Sequence, residues 1–202
     1  MSLNKPYLIP TPTNSLIGEH IDYALFGVFP AAVERDILIA LAPRPLSDKP
    51  SVVAANVDPK YTEQTFAPSR VLASTNAPDD RDAWLIDINT KELRWDSYVK
   101  AGYYVRTLSR FSSDRMSCVY PTSFQGVLNN CFGEGTNDPT PVDMLVLGSV
   151  PAGSGLSSSA AMVVASTLSF LAVNDKLDGI TKGKLVEIAV ANEKRVGVNS
   201  GG

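Results

Sequence analysis

The chain has 202 residues, 44% of them apolar and 19% charged, ordinary proportions for a soluble globular protein of one domain or a tight pair of lobes. Its 18 Lys and Arg against 21 Asp and Glu give a net charge of -3 without any basic run, which argues against nucleic acid as a partner. The longest apolar stretch, Met162 to Val173, is broken by Ser and Thr and is too short for a bilayer core of roughly 30 Å. No charged-then-apolar leader opens the chain, so the expectation is no membrane and a cytoplasmic location. Cys118 and Cys131 are the only cysteines and read as buried small hydrophobes rather than a disulfide framework or a CxxC site. With His20 as the sole histidine, a His-rich zinc site is excluded, and a Ser-His-Asp triad would have to run through that one residue.

Residues 1–14, rich in proline, read as an extended or irregular lead-in, and residues 15–202 as the domain proper. Ile37 to Ala42 looks like a buried strand ending at Pro43, and Pro43 to Pro50 like a loop. A second strand is expected over Ser51 to Asn56, with a turn at Asp58-Pro59 and a polar connector over 73–83. Tyr98, Ala101, Val105 and Leu108 form a helical stripe within Trp95 to Phe111, closed by Ser112 to Asp114. After a loop at 133–140, Met144 to Leu147 with Val150 reads as a strand. Ser158 to Asn174 is apolar on most sides, the pattern of a buried helix, and Lys184 to Val196 carries Leu185, Ile188, Ala189 and Val196 on one face. There is no internal repeat, and the irregular alternation favours an α/β or two-layer α+β domain.

Three segments could carry chemistry. Gly153-Ser154-Gly155-Leu156-Ser157-Ser158-Ser159-Ala160-Ala161 lies between an expected strand and an expected helix. Its glycines permit a tight turn, and successive N–H groups at a helix N-terminus can hold an anion. It lacks the GK[ST] ending of a P-loop, and taken alone it reads first as a plain strand-to-helix turn. Gly18-Glu19-His20-Ile21-Asp22-Tyr23 gathers two carboxylates and an imidazole, which are costly to bury and should face water or a polar ligand. Sugar hydroxyls are natural partners, because a carboxylate accepts more than one hydrogen bond; a solvated turn is the plainer alternative. Glu193 to Gly202 reads as a helix C-terminus with basic residues and glycine, and by itself points to no function.

In this order the three segments resemble the galactokinases of the GHMP sugar-kinase superfamily, fungal type, over residues 15–202. The resemblance implies a GHMP kinase N-terminal domain, like the second domain of ribosomal protein S5, with a mixed sheet backed by helices and the C-terminal lobe missing. It implies transfer of the γ-phosphoryl of ATP to the anomeric hydroxyl of galactose, with Mg²⁺. Glu19, His20 and Asp22 would bind galactose, and Gly201 and Gly202 would pass close to it. Gly153, Ser154, Gly155, Leu156, Ser157, Ser158 and Ser159 would cradle the ATP phosphates, and Ser159 and Glu193 would hold Mg²⁺.

The departures are Thr13 where the family has arginine, Ser15 where it has Asn, and an end at Gly202, just before the family's catalytic aspartate. The chain is therefore expected to be an N-terminal fragment, inactive as a kinase alone and prone to associate through apolar surface left uncovered. N-acetylgalactosamine kinase is one alternative. A non-catalytic galactose and ATP sensor acting on a transcriptional repressor is another, although the intact Ser159-Ala160 pair favours an enzyme.

Overall fold

The computed structural model describes residues 7–12, 33–45, 49, 51–71, 83–92, 94–103, 138–193 and 196. Seven strands and three helices follow one another among these residues. They are β1 (Tyr7–Pro12), β2 (Asp36–Pro43), β3 (Val52–Asn56), β4 (Gln64–Phe66), β5 (Ser69–Val71), β6 (Ala83–Leu85), α1 (Trp95–Tyr103), β7 (Val142–Gly148), α2 (Ser158–Val173) and α3 (Lys182–Glu193). The main sheet has the order β1-β2-β7-β3-β4 and is mixed: β3 runs parallel to β7, and its other pairs are antiparallel. β5 and β6 form a separate two-stranded ribbon.

The expected architecture, a mixed sheet backed by helices, is what forms. Alternation along the strands decides which face is covered. Ile37, Ile39, Leu41, Val52, Ala54, Val142, Met144 and Val146 all point to the buried side, where Ala165, Phe170 and Leu171 of α2 and Val99 and Tyr103 of α1 meet them. The alternate positions of β7, Leu145 and Leu147, stand 46% and 47% exposed on the outer face.

The lead-in, expected to be extended or irregular, is extended over Tyr7–Pro12, where it forms a strand. Pro10 and Pro12 lie two apart, so their missing N–H groups fall on one side, and among the described residues β1 is an edge strand with one side unpaired. Prolines that forbid a central strand are therefore tolerated there. Residue 83, assigned to a polar connector, opens β6. The helix expected over Trp95 to Phe111 is described only to Tyr103; residues 104–111 lie outside the described residues.

Helix ends follow their side chains. Thr181 Oγ1 accepts the Lys184 N–H at 3.2 Å and so caps α3 two residues earlier than the apolar pattern implied. Asn174 closes α2 by donating Nδ2 to the Phe170 carbonyl at 2.8 Å, while its Oδ1 accepts the Thr140 N–H at 2.9 Å. The α1–α2 contact is close because Gly102 has no Cβ: one built there would stand 2.5 Å from Ser166 Cβ and 2.8 Å from the Thr167 backbone nitrogen.

Two substitutions test this packing. Gly102→Ala forces the two helices apart, and we expect a loss of about 1–3 kcal/mol in urea unfolding despite alanine's better helix propensity. Tyr103 is the converse. Its ring packs edge-on against Phe66 and Phe170, but its hydroxyl is buried without a partner among the described residues, and burial pushes its pKa up. The folded state therefore keeps a proton that the unfolded chain releases above about pH 10, so stability falls as pH rises past that point. Tyr103→Phe should raise stability by about 1 kcal/mol at neutral pH and flatten the alkaline loss, measured by unfolding at about pH 8 and pH 10.5.

Candidate functional site

β3 and β7 are parallel neighbours, so their carboxyl ends lie together, with Asn56 level with Val146. A crevice outside the carboxyl ends of such strands is where open α/β sheets bind ligands. Here it is a cavity of about 400 Å³. Three remote segments converge on it: the turn after β3 with Asn56, Asp58, Lys60 and Tyr61; the start of α1 with Arg94, Trp95 and Tyr98; and the loop from β7 into α2 with Gly153, Ser158 and Ser159.

The β7–α2 loop is anchored at its start, where Ser149 Oγ accepts the Asp36 N–H at 3.0 Å. It then turns through left-handed backbone at Gly153 (φ 69°), Gly155 (φ 74°) and Ser157 (φ 55°). A Cβ at Gly153 would meet nothing within 4 Å, so the glycine serves the backbone angle and not the space. The Ser154 hydroxyl donates to the Pro151 carbonyl at 2.7 Å, so it shapes the loop from within. Ser157 occupies the N-cap of α2, yet its side chain makes no capping hydrogen bond, and the first turn carries no acidic residue. The helix thus presents N–H groups without a side-chain acceptor from its own cap, together with the positive end of its dipole, beside the cavity.

The opposite wall is rigid. Trp95 Nε1 donates to the Thr62 carbonyl at 3.2 Å, and the Trp95 and Tyr61 rings lie 6.1 Å apart. Asn56 Oδ1 accepts the Asp58 N–H at 2.9 Å, and Asp58 Oδ1 accepts the Lys60 N–H at 3.1 Å, which sets the turn. Lys60 Nζ lies 2.8 Å from Asp58 Oδ2 and 4.7 Å from the Tyr61 ring centroid. The Lys60 hydrogen bond holds the Asp58 carboxyl below its ordinary pKa, and the same pair, with a second hydrogen bond donated to Tyr61, raises that of Lys60. Arg94 reaches both Gln64 Oε1 and, at 3.1 Å, Asp96 Oδ1. Asp96 is buried, and Lys100 Nζ completes its neutralisation at 3.0 Å.

Glu193 ends α3 and is buried, 4% exposed. Burial first, and the Glu193 charge second, raise the pKa of the cavity residue Tyr98. Among the described residues no three His, Cys, Asp or Glu cluster as a metal site. Mg²⁺ is commonly held by one or two carboxylates together with a substrate's phosphates and waters. Oxygen donors of that kind are the Asp58 carboxylate and the Ser158 and Ser159 hydroxyls of the cavity lining, with the buried Glu193 carboxylate at the end of α3.

Of the residues singled out in the sequence, Gly153 to Ser159 form one loop, of which Gly153, Ser158 and Ser159 line the cavity; Glu193 is buried at the end of α3 and is not among the lining residues. Thr13, Glu19, His20, Asp22, Gly201 and Gly202 lie outside the described residues. The aromatic wall was missed. Asp58-Pro59 read only as a turn and Tyr98 only as part of an apolar stripe; the available signal was Trp95 and Tyr98 three apart at a helix start.

Residues 13–43 match the galactokinase galactose-binding signature, and residues 122–202 match the GHMP kinases N terminal domain. The chain is 33% identical over 188 residues to the galactokinase of Schizosaccharomyces pombe, an alignment covering 93% of this chain and 31% of that one. It is 31% identical over 188 residues to the galactokinase of Candida maltosa, covering 93% of this chain and 70% of the relative. The chain therefore spans under a third of the length of the first of these relatives. In structure it is similar to Lactococcus lactis galactokinase complexed with galactose, with a TM-score of 0.60 at 22% identity, over 98% of this chain and 40% of that one. It is also similar to Methanococcus jannaschii mevalonate kinase, with a TM-score of 0.58 at 12% identity, over 96% of this chain and 47% of that one. At these identities the structural likeness concerns the fold.

The loop geometry makes a prediction of its own. Gly153→Ala introduces no clash, so its effect isolates the left-handed backbone, and we expect a loss of about 1–2 kcal/mol seen as a lowered Tm.

Proposed function

The chain belongs to the galactokinase family of the GHMP kinases, and on that premise we propose that its cavity binds ATP for the phosphorylation of galactose. The observation that carries this reading is the junction of the α2 N-terminus with an aromatic-walled cavity. The base stacks at the Tyr61 and Trp95 wall, and the phosphates lie on the N–H groups at Ser158 and Ser159. Nothing acidic in the first turn of α2 opposes them. Ser159 and Glu193 would hold Mg²⁺, which when bound would neutralise charge on the phosphates. The remaining loop residues, Ser154, Gly155, Leu156 and Ser157, set the path of the backbone around them.

Glu19, His20 and Asp22, within the segment matching the galactose-binding signature, take the sugar hydroxyls, with Gly201 and Gly202 close by. Phosphoryl transfer asks mainly for positioning and charge stabilisation, which a rigid loop, a helix end and a metal-binding carboxylate supply. In the reaction the anomeric oxygen of galactose bonds to the γ-phosphorus as the bond to the β-phosphate oxygen breaks. ADP leaves, and the hydroxyl proton passes to a carboxylate base, which by resemblance follows Gly202. No helix among the described residues is long and apolar enough to cross a membrane, and a cytoplasmic setting, where ATP is available, accords with this chemistry.

Calorimetric titration of ADP with Mg²⁺ into the 202-residue chain tests the nucleotide half of the proposal. Binding is expected. Trp95→Ala and Ser159→Ala should each weaken it by roughly tenfold, about 1.4 kcal/mol. A folded chain, verified by circular dichroism, that takes up no nucleotide would sink the reading. Asp22→Asn should leave ADP binding intact while weakening galactose binding in a parallel titration.

A further inference from the structure

We propose that Asn56 is the residue that reads the base of the nucleotide, its side-chain amide donating a hydrogen bond to a ring nitrogen of adenine. The inference deepens the reading of the cavity as an ATP site and rests on it.

Strand alternation sends the side chain to the cavity. Val52 and Ala54 of β3 are buried on the face that the helices cover, and Asn56, two residues further on, shares that face. It is the last residue of β3, so its side chain leaves the sheet where the covering ends and the cavity begins. An apolar residue there would continue the core. A half-buried amide does not, and it adds a polar group beside a wall that Tyr61 and Trp95 make aromatic.

One hydrogen bond then decides which end of the amide faces a ligand. The Asp58 backbone N–H can only donate, so the Asn56 atom 2.9 Å from it is the oxygen. That contact closes a turn of the kind asparagine makes with the backbone two residues on, and it holds the side chain in one orientation. The Nδ2 amino group is left over, and it engages no other residue among those described.

The neighbouring polar groups are not equivalent to it. Both Asp58 carboxylate oxygens already accept, one from the Lys60 N–H and one from Lys60 Nζ, and Trp95 Nε1 is spent on the Thr62 carbonyl. The Asn56 amino group is thus a fixed and uncommitted donor beside the wall on which the base stacks. Stacking tolerates any flat base, so it gives affinity without choosing an edge. Adenine offers ring nitrogens that accept, and its one donor is the exocyclic amine. A donor held by a turn that exists before the base arrives loses little freedom on binding, which suits it to setting the orientation of the base.

The test titrates ADP and its 1-deaza, 3-deaza and 7-deaza analogues, with Mg²⁺, into the 202-residue chain; each analogue replaces one ring nitrogen by C–H. We expect one of the three to bind roughly fivefold to tenfold more weakly than ADP. Asn56→Asp keeps an oxygen to accept the Asp58 N–H and replaces the donor by an acceptor. In that variant, checked for folding by circular dichroism, the same analogue should bind at least as tightly as ADP. Asn56→Ser, whose hydroxyl can close the same turn, takes its place if the aspartate variant does not fold, and should bind ADP and that analogue alike. Three analogues that all bind the wild-type chain as ADP does would overturn the inference without any variant. An analogue that loses the same affinity in wild type and variant would place the donor elsewhere and overturn it too. A wild-type chain that binds no ADP would instead remove the proposed function itself.

Discussion

The parallel pairing of β3 with β7 is the constraint from which the rest of the site follows. Two adjacent parallel strands end at the same edge of the sheet, and the chain between them must cross over the sheet to return. Here that crossover includes β4, β5, β6 and α1, so the turn after β3 and the start of α1 arrive at the edge where β7 passes into its glycine loop. Had the pair been antiparallel, the turn holding Lys60 and the loop holding Ser158 would lie at opposite ends of the sheet. One cavity could not then join an aromatic wall to a helix N-terminus.

Rigidity comes from saturation of the polar groups around this edge. The Val57 N–H donates to the Val146 carbonyl at 2.9 Å, and the Ser149 N–H to the Asp36 carbonyl at 3.0 Å, so both chain segments leaving the sheet are tied back to it. Buried Asp96 is balanced by Arg94 and Lys100, which keeps a carboxylate inside the domain without leaving it uncompensated. The small residues between α1 and α2 let those helices approach, so Trp95 and Tyr98 are held to the sheet by packing as well as by hydrogen bonds. At the start of α2 the Ser157 side chain makes no capping hydrogen bond, which leaves the first N–H groups without an acceptor from their own cap.

How far the sequence foretold this depended on the length of each signal. Ile37 to Ala42 and Met144 to Leu147 were legible because continuous apolar runs of that length belong in a covered sheet, and α2 because it is apolar on nearly every side. Strands β4, β5 and β6 have three residues each, too few for any period to appear. β1 was concealed by prolines whose meaning depends on being at an edge, a tertiary fact. The glycine loop was legible as a local pattern, whereas the segment from Glu193 by itself pointed to no function and was singled out only through resemblance. The cavity's other wall was not, because Lys60, Trp95 and Ser159 are far apart in sequence and only the crossover brings them together.

The electrostatics show why net charge was a poor guide to what this domain can hold. A chain with a net charge of -3 has no overall attraction for an anion. Around the cavity, moreover, the cationic side chains are already engaged: Lys60 with Asp58, Arg94 with Asp96. Positive potential at the loop therefore comes mainly from the backbone, from N–H groups that point out of α2 because Ser157 adopts a left-handed conformation and leaves them uncapped. Such a field is short in range and fixed in direction. It favours an anion placed at the helix axis and gives little to one elsewhere on the surface. That is selectivity by position, and it depends on the turn through Gly153 and Gly155 more than on the count of charged residues.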